Sequence, residues 1–208
     1  MKRRYLLRAL KFLVKVMPIS FWLVLLFAFD KPYIAVLTLI SAAIHELGHV
    51  LALKRCKRRY SFFGVGSGFR IRADSTISYG EELFTALAGP LANVAVLLVL
   101  LPFILLGTYP YASVFAAVNL FTALSNLIPI EGYDGYRVIS CIINRRTENK
   151  IHSEILRATS FLLTAVIALI SLYIIRSFDG GYWIFFIFLT SLIRAICKSS
   201  TLLGEKRA

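Results

Sequence analysis

Six stretches of roughly 20 mostly apolar residues follow one another along this chain, and each is long enough to cross a bilayer as a helix. They run about Ala9–Phe29, Tyr33–Leu53, Leu83–Leu106, Tyr109–Pro129, Glu154–Ile175 and Gly181–Cys197, the last being short. In lipid every backbone N–H and C=O must find a partner within the protein, so such segments are helical. The composition agrees: 58% of residues are hydrophobic, only 17% are charged, and mean hydropathy is +0.74, well outside soluble averages. The fold expected is a single all-α polytopic membrane domain over residues 1–208, with six transmembrane helices. Lys2, Arg3 and Arg4 precede the first span, but no small-x-small cleavage site follows it. It therefore reads as an uncleaved span rather than a signal peptide.

The formal charge of +13 is placed for a membrane, not for nucleic acid. Lys and Arg flank the apolar stretches instead of forming one basic domain, which suits anchoring and attraction to anionic lipid. Lys2, Arg3, Arg4 and Arg8 lie in the N-terminal segment, and Lys54, Arg55, Lys57, Arg58 and Arg59 follow span two. Arg137, Arg145, Arg146 and Lys150 follow span four, and Lys198, Lys206 and Arg207 follow span six. The other connections carry only Lys31 and Arg176. Six spans with both termini in the cytoplasm satisfy the positive-inside rule at every loop. The three cysteines, Cys56, Cys141 and Cys197, form no CxxC pair and fall near the reducing cytoplasmic side, so they read as packing residues.

Between spans two and three, residues 60–80 are neither helix-like nor strongly apolar. Gly64, Gly66 and Gly68 precede an alternating Phe69-Arg70-Ile71-Arg72, a Gly-rich turn leading into a short strand. This small cytoplasmic hairpin-like segment, Gly64–Arg72, is either inert or an edge that pairs with an extended peptide.

Span two contains His45-Glu46-Leu47-Gly48-His49. Positions i and i+4 share a helix face, so both imidazoles can reach one zinc ion. Glu46 can take the proton of a water that attacks an amide. Ionisable groups inside an apolar span are expensive and generally functional. A catalytic zinc usually takes a third protein ligand. His152, beside Glu148 and Lys150, reads as a solvated surface residue. Asp134 is the better candidate. It follows Pro129, which should break span four, and lies between Gly132 and Gly135, which allow unusual backbone angles. Glu131 remains a rival ligand. His45 is nine residues before Lys54, which sets the metal roughly 10–15 Å inside the cytoplasmic surface. Asp134 belongs to the same end of its span. Gly89-Pro90 and Asn93 in span three read as helix packing and cross-helix hydrogen bonding. Trp22, Tyr109, Tyr111, Tyr182 and Trp183 read as interface anchors.

With these residues the chain resembles the site-2 protease family of intramembrane metalloproteases. His45-Glu46-Leu47-Gly48-His49 is one motif, and Asn126-x-x-Pro129-x-x-x-x-Asp134-Gly135 is similar to the family's N-x-x-P-x-x-x-x-D-G pattern. Ala88-Gly89-Pro90-Leu91-Ala92-Asn93 is similar to a third family signature. The six-span layout resembles the branch containing the stage IV sporulation FB protease, and the resemblance covers about residues 15–195. It implies that His45, His49 and Asp134 bind zinc, that Glu46 is the catalytic base, and that Asn126 contacts substrate near the active site. It also implies a bacterial cell membrane, a membrane-associated protein substrate such as a sigma-factor precursor or an anti-sigma factor, and regulatory membrane proteins as further partners. Four departures stand out. No nucleotide-sensing CBS domain is expected after span six, where that branch usually carries one. Ile130-Glu131-Gly132-Tyr133 replaces an apolar, proline-containing stretch, and Tyr136 stands where a second glycine is common. Gly64–Arg72 stands where a Pro-Phe-Gly-Gly type loop is often found.

Competing classes are weaker. A transporter using the His/Glu/Asp cluster would spread polar residues over several spans or show inverted repeats. A prenyl-protein protease would carry a glutamate-bearing second motif. A non-catalytic scaffold would not need Glu46. Oligomeric state, substrate identity and cut site are left open by the residues.

Overall fold

In the computed structural model, residues 32–65, 68–73, 76–107, 109–146 and 150–178 are described. The spans expected at about 9–29 and 181–197, and Cys197, lie outside them. In chain order the elements are α1 (Pro32–Arg55), β1 (Tyr60–Val65), β2 (Gly68–Ala73), α2 (Tyr79–Leu105), α3 (Pro110–Asn126), α4 (Asp134–Arg146) and α5 (Lys150–Phe178).

α1 ends where Lys54 and Arg55 occupy its last turn, cations complementing the negative end of the helix dipole. Lys57 then takes a left-handed φ of 53° and turns the chain away. β1 and β2 pair antiparallel, from Tyr60 opposite Ala73 to Val65 opposite Gly68. The strand structure thus begins earlier than Phe69. α2 starts on a capping box. The Ser78 hydroxyl accepts the Glu81 N–H at 3.3 Å, and the Glu81 carboxylate accepts the Ser78 N–H at 2.8 Å. That carboxylate also takes two hydrogen bonds from Arg58, at 3.0 and 2.9 Å, which fastens the start of α2 to the end of α1. Pro110 opens α3 at a position where its missing N–H is not needed.

Inside and outside are inverted relative to a water-soluble domain. The buried apolar residues are mostly small: Ala35, Ala52, Ala86, Ala112, Ala116 and Ala123. With them are buried Ser41, Thr85, Asn93 and Asn119, while Leu98, Val99, Leu105 and Leu106 are more than half exposed. Small residues and polar bonds at helix contacts, with large apolar side chains outward, are what lipid demands. Among the described residues three helices are long and apolar enough to cross a membrane: Pro32–Arg55, Tyr79–Leu105 and Ile151–Tyr173. They overlap the spans expected at 33–53, 83–106 and 154–175, each starting one to four residues earlier. The span expected at 109–129 is the 17-residue α3, which stops at Asn126, three residues before Pro129.

α4 was not foreseen. Its residues, with Arg137, Arg145 and Arg146, read as a charged connection, yet they form a 13-residue helix packed beside α2. α2 is the hub, packing against α1, α3 and α4. Where these helices meet, Asn93 of α2 donates to the Ser41 carbonyl of α1 at 3.0 Å and to Asn119 Oδ1 of α3 at 2.9 Å. Ser41 Oγ in turn donates to Asn119 Oδ1 at 3.1 Å. All three residues are completely buried.

Candidate metal centre

The helical repeat sets His45 and His49 on one face of α1, four residues apart. Their rings meet edge to face with centroids 4.9 Å apart, and both residues are 4% exposed. Two glycines make this possible. A Cβ on Gly48 would collide with the Ala88 carbonyl, so α1 and α2 cross almost backbone to backbone. A Cβ on Gly89 would lie 2.5 Å from His49 Nε2 and 2.8 Å from His45 Cε1. The imidazoles therefore rest on the bare backbone of α2. Gly89 does serve packing, but packing against the two histidines themselves.

Hydrogen bonds at the far side of each ring fix where its proton sits. His49 Nδ1 is 2.7 Å from the Thr85 carbonyl, which can only accept. The His49 Nδ1 therefore carries the proton and its Nε2 a lone pair. His45 Nδ1 is 2.8 Å from Asn93 Oδ1. The Asn93 amide cannot be flipped, because its nitrogen must face the Ser41 carbonyl. Its oxygen faces His45, and His45 Nε2 also presents a lone pair.

Asp134 is delivered by a tight reversal. After α3 ends, Gly132 adopts φ 112°, a conformation natural to glycine. A Cβ on Gly135 would strike the Leu127 carbonyl, so the first turn of α4 lies directly under the last of α3. Ile130, Ile128 and Tyr133 pack against Leu163, Ile167 and Ala168 of α5, and Ser160 of α5 accepts the Glu131 N–H at 2.6 Å. Asp134 then occupies the first turn of α4, where the helix dipole favours a carboxylate.

The three residues converge. Asp134 Oδ2 is 2.9 Å from His45 Nε2 and 3.1 Å from His49 Nε2, and the two nitrogens are 3.3 Å apart. With each imidazole proton held on the outer nitrogen, three buried electron-pair donors face one another. That arrangement is repulsive unless a cation or an added proton sits among them. Ligands about 2.0–2.1 Å from a tetrahedral zinc are themselves about 3.3–3.4 Å apart, so the observed spacing fits one ion after a slight opening. Two imidazoles and a carboxylate, leaving a fourth position, are the donor set of catalytic zinc. Among the described residues His45, His49 and Asp134 form a possible metal site.

The other candidates fall elsewhere. Glu46, next to His45, is half-buried on α1. Glu131 is not part of the cluster. Asn126 is half-buried at the end of α3, with its amide nitrogen donating to the Thr122 carbonyl at 2.9 Å. His152 is exposed on α5. Cys141 donates to the Tyr79 carbonyl at 2.9 Å, and burial pushes its thiol up. It is a packing residue, not a reactive thiolate. Sequence reasoning did not identify the Thr85 carbonyl, a backbone atom with no residue signature. It saw Asn93 as a cross-helix bond without linking it to His45, and counted Arg137 only as a loop charge.

No protein-family model matches this chain, and no curated protein matches it. Among solved structures it is similar to the site-2 protease from Methanocaldococcus jannaschii, with a TM-score of 0.64 over 89% of this chain and 87% of that one, at 20% identity. The two share one fold. The case for a metal centre comes separately, from this chain's own side chains.

Proposed function

We propose that this protein is an intramembrane zinc endopeptidase of the site-2 protease type. The observation that carries the proposal is the meeting of His45, His49 and Asp134 as three buried electron-pair donors, beside Glu46, in a fold shared with a site-2 protease. Zinc, when bound, would polarise the scissile carbonyl and make water acidic enough to attack at neutral pH. Thr85 and Asn93 hold the two imidazoles in the tautomer that presents Nε2, and Gly89 lets them lie against α2. Glu46 accepts the proton of the attacking water and delivers it to the leaving amine nitrogen. The substrate must enter as an extended strand, because a helix hides its carbonyls; Asn126, at the end of α3, contacts it.

The layout proposed is six spans in a bacterial cell membrane with both termini cytoplasmic, the substrate being a membrane-associated protein such as a sigma-factor precursor or an anti-sigma factor. Three apolar helices support the membrane setting, and the distribution of Lys and Arg supports the orientation.

The test needs no knowledge of the substrate. Detergent-purified wild type should hold close to one zinc per chain, and Asp134→Ala should lose most of it while Glu131→Ala keeps it. Glu46→Gln should retain zinc and abolish cleavage of a membrane-anchored test substrate. A well-folded wild type that takes up no zinc would defeat the proposal and favour a non-catalytic scaffold.

A further inference from the structure

We propose that Arg137, held in place by Glu82, is a positioning residue that selects which oxygen of Asp134 faces the two histidines; the inference rests on the metal-site reading above. Arg137 stands three residues after Asp134 on the same face of α4. Its Nη1 donates to Asp134 Oδ1 at 3.2 Å, while the opposite oxygen, Oδ2, faces His45 and His49. The terminal torsion of an aspartate is broad. A carboxylate tethered only by its backbone can present either oxygen, or both. A guanidinium on one oxygen removes that freedom and commits the other to the metal.

Arginine is itself flexible and is a useful guide only if anchored. The anchor is Glu82 in the first turn of α2. Its Oε1 accepts Arg137 Nε at 3.0 Å and forms an ion pair with Nη2 at 2.9 Å. Three residues further on, Thr85 supplies the carbonyl that orients His49, and the Thr85 hydroxyl donates to the Glu82 carbonyl at 3.0 Å. One short stretch of α2, residues 82–85, therefore sets two of the three ligands: His49 directly and Asp134 through Arg137. The pair lines a cavity of about 270 Å³ together with Tyr79, Tyr136 and Ser140, so the guanidinium touches both solvent and the buried carboxylate. A charge serving only to anchor the protein to lipid would have no reason to point inward.

A plain tether between α2 and α4 would also use this ion pair, and metal affinity separates the two roles. Full-length protein in detergent is loaded with zinc and titrated with a competing chelator, and its melting temperature is recorded in parallel. Arg137→Met should weaken zinc binding about 10–100-fold, the usual effect of losing a group that orients a ligand. Arg137→Lys should recover part of that loss. Glu82→Gln should weaken binding in the same direction but less. The double variant should be no weaker than Arg137→Met alone, because Glu82 acts through Arg137. Variants that melt earlier yet bind zinc like wild type would overturn the inference and leave only a tether. Should Arg137→Met not fold, Glu82→Gln decides, and unchanged affinity there overturns it equally. Wild type without zinc sinks the metal-site reading itself; wild type and Arg137→Met binding equally tightly sinks this inference alone.

Discussion

The crossing of α1 and α2 and the flank formed by α5 obey different rules. At the crossing, polar groups bond between helices: Asn93 to Ser41, to Asn119 and to His45. Along α5 the inward strip is Leu156, Ser160, Thr164, Ala168 and Ser171. There Thr164 and Ser171 donate to carbonyls of their own helix, and among the described residues Ser160 alone of these three reaches another segment, through the Glu131 N–H. Around that strip lie exposed Leu162, Leu169 and Tyr173, at 64%, 66% and 70%. Lipid gives apolar side chains little reason to prefer protein over bilayer. Close backbone approach and interhelical bonds are therefore what hold the helices together, and both are concentrated at the crossing where the three candidate ligands meet.

The contrast is broken most directly at Gly89. Gly89→Ala puts a methyl group on both imidazoles, and the expected result is loss of most bound zinc with about 1–3 kcal/mol of destabilisation. Zinc analysis and thermal melting would show this, and a fully loaded variant would mean the histidines have room to move. Next comes Asn93→Leu, which removes the acceptor for His45 and the amide that donates to the Ser41 carbonyl and to Asn119 Oδ1. Zinc affinity should fall about 10–100-fold and stability by about 1–3 kcal/mol. On the α5 side, Ser160→Ala removes the hydroxyl that accepts the Glu131 N–H and should cost about 1 kcal/mol, with zinc affinity kept. Smallest of all, Leu169→Ala should change stability by less than about 0.5 kcal/mol. A larger loss at Leu169 than at Ser160 would show that α5 is covered by protein rather than lipid.

The parts of this arrangement legible in the sequence are those carried by local pattern. Histidines four apart on an apolar helix must share a face, and Pro129 with Gly132 and Gly135 marks a reversal that returns a carboxylate to it. The boundary was misplaced because α3 yields before Pro129 rather than at it. α4 escaped notice because a short helix carrying three arginines has the composition of a loop. Asp134 was already preferred to its rival Glu131 in the sequence, from the break at Pro129 and the flanking glycines, and the distances group Asp134 with the two histidines. The supporting shell was out of reach for another reason: Thr85, Asn93, Glu82 and Arg137 act across helices, and nothing in linear spacing says which carbonyl a histidine will find. Gly89 was visible as a small residue, but its neighbour was not.

The brevity of α3 bears on how water reaches the centre. Its 17 residues rise about 26 Å, a few ångströms less than a hydrocarbon layer of about 30 Å. A bilayer meeting a helix shorter than itself thins around it or draws the following chain inward. The following chain here is the reversal that carries Asp134. In the proposed six-span layout the hydrophobic mismatch at α3 would fall beside the candidate metal centre, and a dimpled membrane there would bring bulk water toward it without requiring a pore through the helices.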